Sequence, residues 1–225
     1  MSYSDTTIVL PTLNEEGNIK GMLSLLGKLY PGARIIVSDD GSKDKTQQIV
    51  KKFKGNVKLL DRSKKEHGIT ASVLDALGIT KTGFMVVMDA DFQHSPEEIT
   101  NIIRMLRKGS NIVVASRRTT PKEWPLQRKI ISKGALFLAK RRLNVNCKDP
   151  ISGFFGIRTD FFKKILSGNK KRFVDENYKV LFDILKCLPP GHTIGEIYYD
   201  LRLRKKDVSK LNRSHVKAFL KSLSA

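Results

Sequence analysis

Two hydrophobic periods alternate along the first half of the chain. Short apolar runs rich in β-branched residues, such as "TIVLP" and "FMVVM", are separated by stretches whose apolar positions recur every three or four residues. Runs of the first kind suit strands buried on both faces, and spacing of the second kind suits helices that cover them. Strands are predicted near 6–10, 33–38, 56–60, 84–88 and 111–115, and helices at about 15–29, 43–53, 69–78 and 96–107. This order of elements predicts βαβ units and an α/β fold: a mostly parallel central sheet with helices on both faces. The start of the helix at 96 is strongly marked. Ser95 stands where an N-cap belongs, Pro96 suits a first turn, and Glu97 and Glu98 favour the positive helix end.

After residue 115 the rhythm changes. The segment "WPLQRKIISKGALFLAKRRL", 124–143, has helical spacing, with Leu126, Ile130, Phe137 and Leu138 toward one side and Lys129, Lys133 and Lys140 toward another. Beyond it the pattern predicts a strand over "SGFFGI", helices near 159–167 and 175–187, a strand around 193–199 and a short last helix at 214–223. No repeat or low-complexity linker divides the chain, so one domain with a basic, partly helical annex is expected. The longest apolar runs fall far short of the ~20 residues a membrane helix requires, and the N-terminus has no signal-peptide core. The expectation is a protein made and kept in the cytosol. There Cys147 and Cys187, which lack metal-ligand spacing, stay reduced and structural.

Charge divides the chain more sharply than hydropathy does. The formal net charge is +20, yet residues 1–110 hold 16 Lys+Arg against 13 Asp+Glu, whereas residues 111–225 hold 26 against 9. A field that positive in one half attracts nucleic acid, an anionic membrane surface or phosphorylated substrates. The chain carries none of the aromatic-interleaved segments by which nucleic-acid modules read bases, so no nucleic-acid partner is expected.

The acidic residues gather at strand ends. "PTLNEE" follows the first strand, "SDDGSKD" the second and "DADFQ" the fourth. Ligands of open parallel sheets bind beyond the carboxyl ends of the strands, so these three segments should share one rim. Asp89 and Asp91, two apart in extended chain, repel one another unless a cation lies between them, and Mg²⁺ or Mn²⁺ with phosphate co-ligands is the natural occupant. Phosphate-binding glycine loops of the G-x-x-x-x-G-K-[ST] and G-x-G-x-x-G types are absent. A D-x-D-x-[TV] phosphatase is disfavoured, because its motif follows the first strand and Gln93 holds the fifth position here.

The stretches "VLPTLNEEGNI", "IIVSDDGSKDKT", "EHGITASVLDAL", "VVMDADFQHSPEEI", "ASRR", "WPLQRKIISKGA", "KDPISGFFGIR", "NYKVLFDIL" and "SKL" resemble, in order, those of family 2 glycosyltransferases of the GT-A fold. Within that family they are most similar to the dolichyl-phosphate (polyprenyl-phosphate) mannose synthases. The resemblance implies one catalytic domain over 1–225: a nucleotide-sugar-binding half at 1–115, an acceptor-binding half at 116–213 and a C-terminal amphipathic helix at 214–225. It implies inverting transfer of mannose from GDP-mannose to dolichyl or another polyprenyl phosphate, with transfer of glucose from UDP-glucose as the alternative. By position, Pro11, Leu13, Glu15, Asp39 and Asp40 would line the nucleoside pocket, and Asp89, Ala90, Asp91 and Gln93 the diphosphate. Asp89, Asp91 and Gln93 would hold the metal. Arg117, Arg128, Ser132 and Arg202 would take the acceptor phosphate, while Arg204, Ser209 and Lys210 would close over the donor. Asp91, Arg117 and Arg128 would carry the catalysis.

Some positions depart from the family's pattern. Leu13 replaces a usual Tyr near the base, Asn177 a Gly before "YK", and Asp207 the Gly of R-x-x-G-x-S-K-L. Asp175 and Glu176 stand roughly where relatives with hydroxyl acceptors keep a base, and the plainer account is that they favour the start of the 175–187 helix. The family's lipid acceptor implies that helix 124–143 lies on the cytosolic face of a membrane, the protein binding peripherally or through small membrane-anchoring subunits.

Overall fold

The sheet is built outward from β1 (Thr6–Thr12), in which six of seven residues are buried. Successive side chains of a strand point to opposite faces. Ile8 and Leu10 accordingly join one core cluster and Val9 the other. The first cluster is closed by α1 (Ile19–Leu29) and α4 (Ile99–Arg107), through Leu23, Leu26, Ile102 and Ile103. The second is closed by α3 (Ile69–Ile79), α6 (Thr159–Asn169) and α7 (Val180–Leu185), through Leu77, Phe162 and Phe182. Each large apolar side chain fully withdrawn from water contributes about 1.5–3 kcal/mol, and burial on both sides is what fixes these central strands.

In the computed structural model, residues 2–119, 121, 123–143, 145–175, 178–202 and 213–224 are described. Among them β2 (Arg34–Asp39), β3 (Val57–Asp61), β4 (Phe84–Val87), β5 (Ile112–Arg117), β6 (Phe155–Arg158) and β7 (Ile194–Tyr199) join β1 in the order β3-β2-β1-β4-β6-β5-β7. Only β6 runs against the rest: it pairs antiparallel with β4 and β5, and the other pairings are parallel. The expected mostly parallel, two-sided α/β architecture is present. One sheet holds both the acidic strand ends of the first half and the basic elements of the second. Gly156 on β6 permits the close approach of α4, because a Cβ there would lie 2.2 Å from Ile102 Cγ2 and 3.0 Å from Leu106 Cδ1.

Several helices begin later than their pattern predicts, each for a local reason. Before α1, the Glu15 carbonyl accepts the amides of Asn18 and Ile19, so residues 16–18 form a turn and the helix begins only at Ile19. Ahead of α2 (Thr46–Lys52), the Asp44 carboxylate accepts the Thr46 amide at 2.9 Å and the Glu16 amide at 3.0 Å, clamping the two loops together. The turn Pro96–Glu98 is a 3₁₀ segment, to which Ser95 supplies its carbonyl and no side-chain cap. The helix expected over 175–187 is only α7, six residues long. Asp175 lies outside its first turn and instead receives the Ala71 amide on its carbonyl. Glu176 and Asn177 lie outside the described residues.

All of α7 is buried, and a polar clip fastens α8 (Arg213–Ser224) to it. Lys186 Nζ lies 2.9 Å from Asp183 Oδ1 and donates to the carbonyls of Arg172 and Ser222, while Ser222 Oγ donates to Asp183 Oδ1. Cys147 and Cys187 are buried free thiols, and burial pushes Cys147 up to about 12.

The long helix α5 (Leu126–Arg142) buries only Ala139. Leu126, Ile130, Ile131, Phe137 and Leu138 are exposed, Leu126 to 72% and Phe137 to 63%. Among the described residues, no helix is long and apolar enough to cross a membrane.

Candidate active site

A cavity of about 720 Å³ opens at the carboxyl ends of β1, β2 and β4 and extends toward β5, α5 and α7. Pro11, Leu13, Glu15 and Asp40 line its first end. The neighbouring carboxylates Asp39 and Asp40 have different tasks. Asp39, fully buried and not among the lining residues, accepts hydrogen bonds from Thr12 Oγ1, the Ser42 amide, Ser42 Oγ and Gln47 Nε2. It shapes the loop beneath the pocket. Asp40 faces the cavity and is gripped from behind by Arg62 Nη1 and by the Gly68 amide at 2.9 Å. Arg62, 1% exposed, also bonds Asp75, Ser72 Oγ and the Glu66 carbonyl. Four directional contacts fix Arg62, and through it and the Gly68 amide Asp40 is left little freedom.

Where β4 ends at Val87 the chain leaves extended geometry, and Phe92 takes a positive φ of 63°. Asp91 becomes almost fully buried and accepts the Gln93 amide at 3.0 Å, while Asp89 stays partly exposed. Asp89, Ala90, Asp91 and Gln93 all line the cavity. His94 braces this turn. Its Nδ1 accepts the Asp89 amide at 3.1 Å, so the neutral ring carries its proton on Nε2, which lies 3.7 Å from Asp89 Oδ2. A Cβ at Gly153 would come within 3.4 and 3.6 Å of the Asp89 oxygens, so the glycine keeps the space beside them open. Gln93 and Arg202 exchange hydrogen bonds between the turn and the chain beyond β7.

The second end of the cavity is basic. Arg117, the last residue of β5, is forked onto Asp149, with Nε to Oδ2 at 2.5 Å and Nη2 to Oδ1 at 2.9 Å. Burial opposes a charge there, yet the Asp149 bonds hold the guanidinium above its ordinary pKa. Arg128 on α5 stacks over the Trp124 ring at 3.8 Å, and Ser132 lines the same wall one turn further on. Lys179 adds a half-buried ammonium whose pKa is lowered to about 8, chiefly by burial and then by Arg117. Arg202 does not line the cavity; it is half exposed and faces Glu97 at 3.4 Å. Arg204, Ser209 and Lys210 lie outside the described residues.

Five contributors escaped the sequence reading. Arg62 and Lys179 look like any basic residues in a basic chain, Tyr199 like a strand residue, and His94 like a histidine without ligand spacing. Three of them stood in segments already singled out, His94 inside "VVMDADFQHSPEEI", Asp149 inside "KDPISGFFGIR" and Lys179 inside "NYKVLFDIL", but none of the three was picked out as a contributor.

A mostly parallel sheet with one reversed strand, and a carboxylate-rimmed cavity at its strand ends, define the GT-A fold of nucleotide-diphospho-sugar transferases. The sequence profile of glycosyl transferase family 2 matches residues 7–166, and the chain belongs to that family. It is 31% identical to the dolichol-phosphate mannosyltransferase of Pyrococcus furiosus over 96% of this chain. The alignment covers 62% of that relative's length, so the chain spans less than two thirds of it. It is 27% identical to the enzyme of the same name from Saccharomyces cerevisiae, over 96% of this chain and 85% of the relative. Among solved structures it is similar in fold to glucosyl-3-phosphoglycerate synthase of Mycobacterium tuberculosis in complex with Mn²⁺, UDP-glucose and glycerol 3-phosphate. That match has a TM-score of 0.69 and 18% identity, covering 97% of this chain and 80% of that one.

Proposed function

We propose that the protein is an inverting, divalent-metal-dependent glycosyltransferase that moves mannose from GDP-mannose to dolichyl or another polyprenyl phosphate. The observation that carries this reading is the polarised cavity: carboxylates from β1, β2 and β4 at one end, and Arg117, Arg128 and Lys179 at the other. The curated relatives named dolichol-phosphate mannosyltransferase support the same reading.

Asp89 and Asp91, with the amide oxygen of Gln93, form an all-oxygen set suited to Mg²⁺ or Mn²⁺. Two protein carboxylates are the usual complement of an ion whose other ligands are phosphates and water. Among the described residues no group of three or more His, Cys, Asp or Glu side chains could hold an ion, consistent with a site completed by substrate. When bound, the ion would offset the charge growing on the departing nucleoside diphosphate.

The remaining work falls to protein groups. Asp40, immobilised by Arg62, and Glu15 present acceptors where a nucleoside would lie. Arg117, held by Asp149, and Arg128, backed by Trp124, present charged guanidinium donors to the phosphates, and hydrogen bonds between ionised partners are the strong ones. A phosphate monoester has its second pKa near ~6, so the acceptor arrives already ionised and no carboxylate base is needed. Asp175 is not among the lining residues, in keeping with this. The exposed apolar and basic face of α5 would rest on a cytosolic membrane surface and bring the lipid to its phosphate site, with or without small anchoring subunits.

A second reading, UDP-glucose as donor, is favoured by Leu13, which brings neither ring nor hydroxyl to the base end of the cavity. The deciding experiment supplies labelled GDP-mannose and UDP-glucose separately, with Mg²⁺ or Mn²⁺ and a polyprenyl phosphate, and follows label into the organic phase. Transfer from GDP-mannose that stops with EDTA, with Asp91→Ala and with Arg117→Ala is expected. Lipid labelling that survives Asp91→Ala would remove that residue from the mechanism, and failure to transfer from either donor would sink the proposal.

A further inference from the structure

Tyr199 ends β7 directly beside Arg117 at the end of β5. The parallel register pairs these two residues, so their side chains leave the sheet on the same face, toward the cavity they both line. The Tyr199 ring is fixed by edge contacts with His94, at 5.7 Å between centroids, and with Phe154, at 5.6 Å. The residue is 3% exposed, and its hydroxyl makes no hydrogen bond of good geometry among the described residues; Ser152 lies within reach, but its own hydroxyl proton goes to the Ala115 carbonyl at 2.7 Å. Buried tyrosine hydroxyls ordinarily have one, and a group left without one calls for an explanation.

The surroundings indicate what the missing partner is. Asp149 occupies the Nε and Nη2 side of the Arg117 fork, which leaves Nη1 for a ligand. Lys179 from the start of α7 and Arg128 from α5 line the same end of the cavity. Burial raises the Tyr199 pKa well above its ordinary value, so the hydroxyl keeps its proton and donates. A neutral donor set among three cationic ones matches an anion with several oxygens, and an uncharged sugar hydroxyl would make poorer use of it.

We infer that Tyr199 contacts the acceptor, its hydroxyl donating a hydrogen bond to an oxygen of the phosphate monoester held by Arg117. The acceptor's identity as a prenyl phosphate rests on the proposed function, whereas the phosphate itself is read from the cavity. Phenylalanine is the informative replacement, since it keeps the ring and its contacts with His94 and Phe154 and removes only the hydroxyl.

Calorimetry compares the full chain and Tyr199→Phe as they bind geranyl phosphate, inorganic phosphate and GDP-mannose. Geranyl phosphate is expected to bind roughly tenfold more weakly to the variant, as befits a lost hydrogen bond to a charged group, with GDP-mannose unaffected. Equal affinity of both proteins for geranyl phosphate overturns the inference. So does a loss confined to GDP-mannose, which would place the hydroxyl on the donor. Inorganic phosphate bound as tightly as geranyl phosphate also overturns it, since free phosphate would then be the ligand. The two proposals separate cleanly. Weakened geranyl phosphate binding in a protein whose parent transfers no sugar leaves the contact standing and removes the function, and a wild-type acceptor KM in an active variant does the reverse.

Discussion

Asp149 holds Arg117 in place, and a single atom exchange isolates that role. Both carboxylate oxygens accept from the guanidinium, and the pair is nearly withdrawn from water. Asp149→Asn keeps the volume but removes the charge and one acceptor. Leaving a buried charge without its partner typically destabilises by about 3–5 kcal/mol, and the upper end is not expected here because Arg117 retains some solvent contact. Chemical denaturation should therefore locate a loss of about 3 kcal/mol, and transfer assays a rise in acceptor KM. Unchanged stability would mean the fork is incidental. The same scale sets the limit of sequence reading: "DDGS" and "DAD" announced carboxylates at strand ends, but not that Asp39 would be spent on Thr12, Ser42 and Gln47 while Asp40 faces the cavity. Nor could spacing reveal Arg62 or Tyr199, whose roles arise from contacts across strands and loops distant in sequence.

Elements whose burial is two-sided were legible because their composition is dictated by packing alone. The strands β1, β2, β4 and β5 fall close to where the apolar periods put them, and the edge strand β3, only partly buried, does so as well. What failed was set by particular contacts. The helix of 175–187 contracts to α7 because the chain before it instead supplies a carbonyl to the start of α3. The reversal of β6 leaves no mark in its own short apolar run, yet it places Gly156 under α4. Gly156→Ala forces a Cβ into Ile102 and Leu106, and overpacking of this kind costs about 1–3 kcal/mol. Gly27→Ala, in α1 where nothing lies within 4 Å of the added carbon, should instead stabilise by up to about 1 kcal/mol through helix propensity. Urea midpoints that move in opposite directions for the two variants confirm that close packing, and not glycine's freedom, fixes β6 against α4. Shifts of the same sign would refute it.

Across the whole molecule, charge and apolar exposure coincide on α5. From Leu126 to Arg142 the helix carries six basic residues and no acidic one, and its apolar side chains Leu126, Ile130 and Phe137 point to solvent along one stripe. The neighbouring Ile131, Ser132 and Ala135 line the cavity, so one helix borders both the outside and the reaction space. A membrane supplies what water does not: a sink for the stripe and anionic headgroups for the cations, each Lys or Arg near such a surface being worth about 1 kcal/mol. Burying three large apolar side chains adds about 1.5–3 kcal/mol apiece. Replacing Leu126, Ile130 and Phe137 together by Ser should therefore weaken sedimentation with phosphatidylserine-containing vesicles at least a hundredfold, roughly, on the same arithmetic. Since none of the three lines the cavity, transfer to a short, water-soluble prenyl phosphate should persist while transfer to long-chain acceptor in vesicles falls. Raising salt should loosen the wild-type protein from these vesicles by screening the cationic share alone, leaving a salt-resistant remainder that the triple variant lacks. Vesicle binding that is indifferent to the triple substitution would place the membrane contact elsewhere and leave the exposed stripe of α5 without this role.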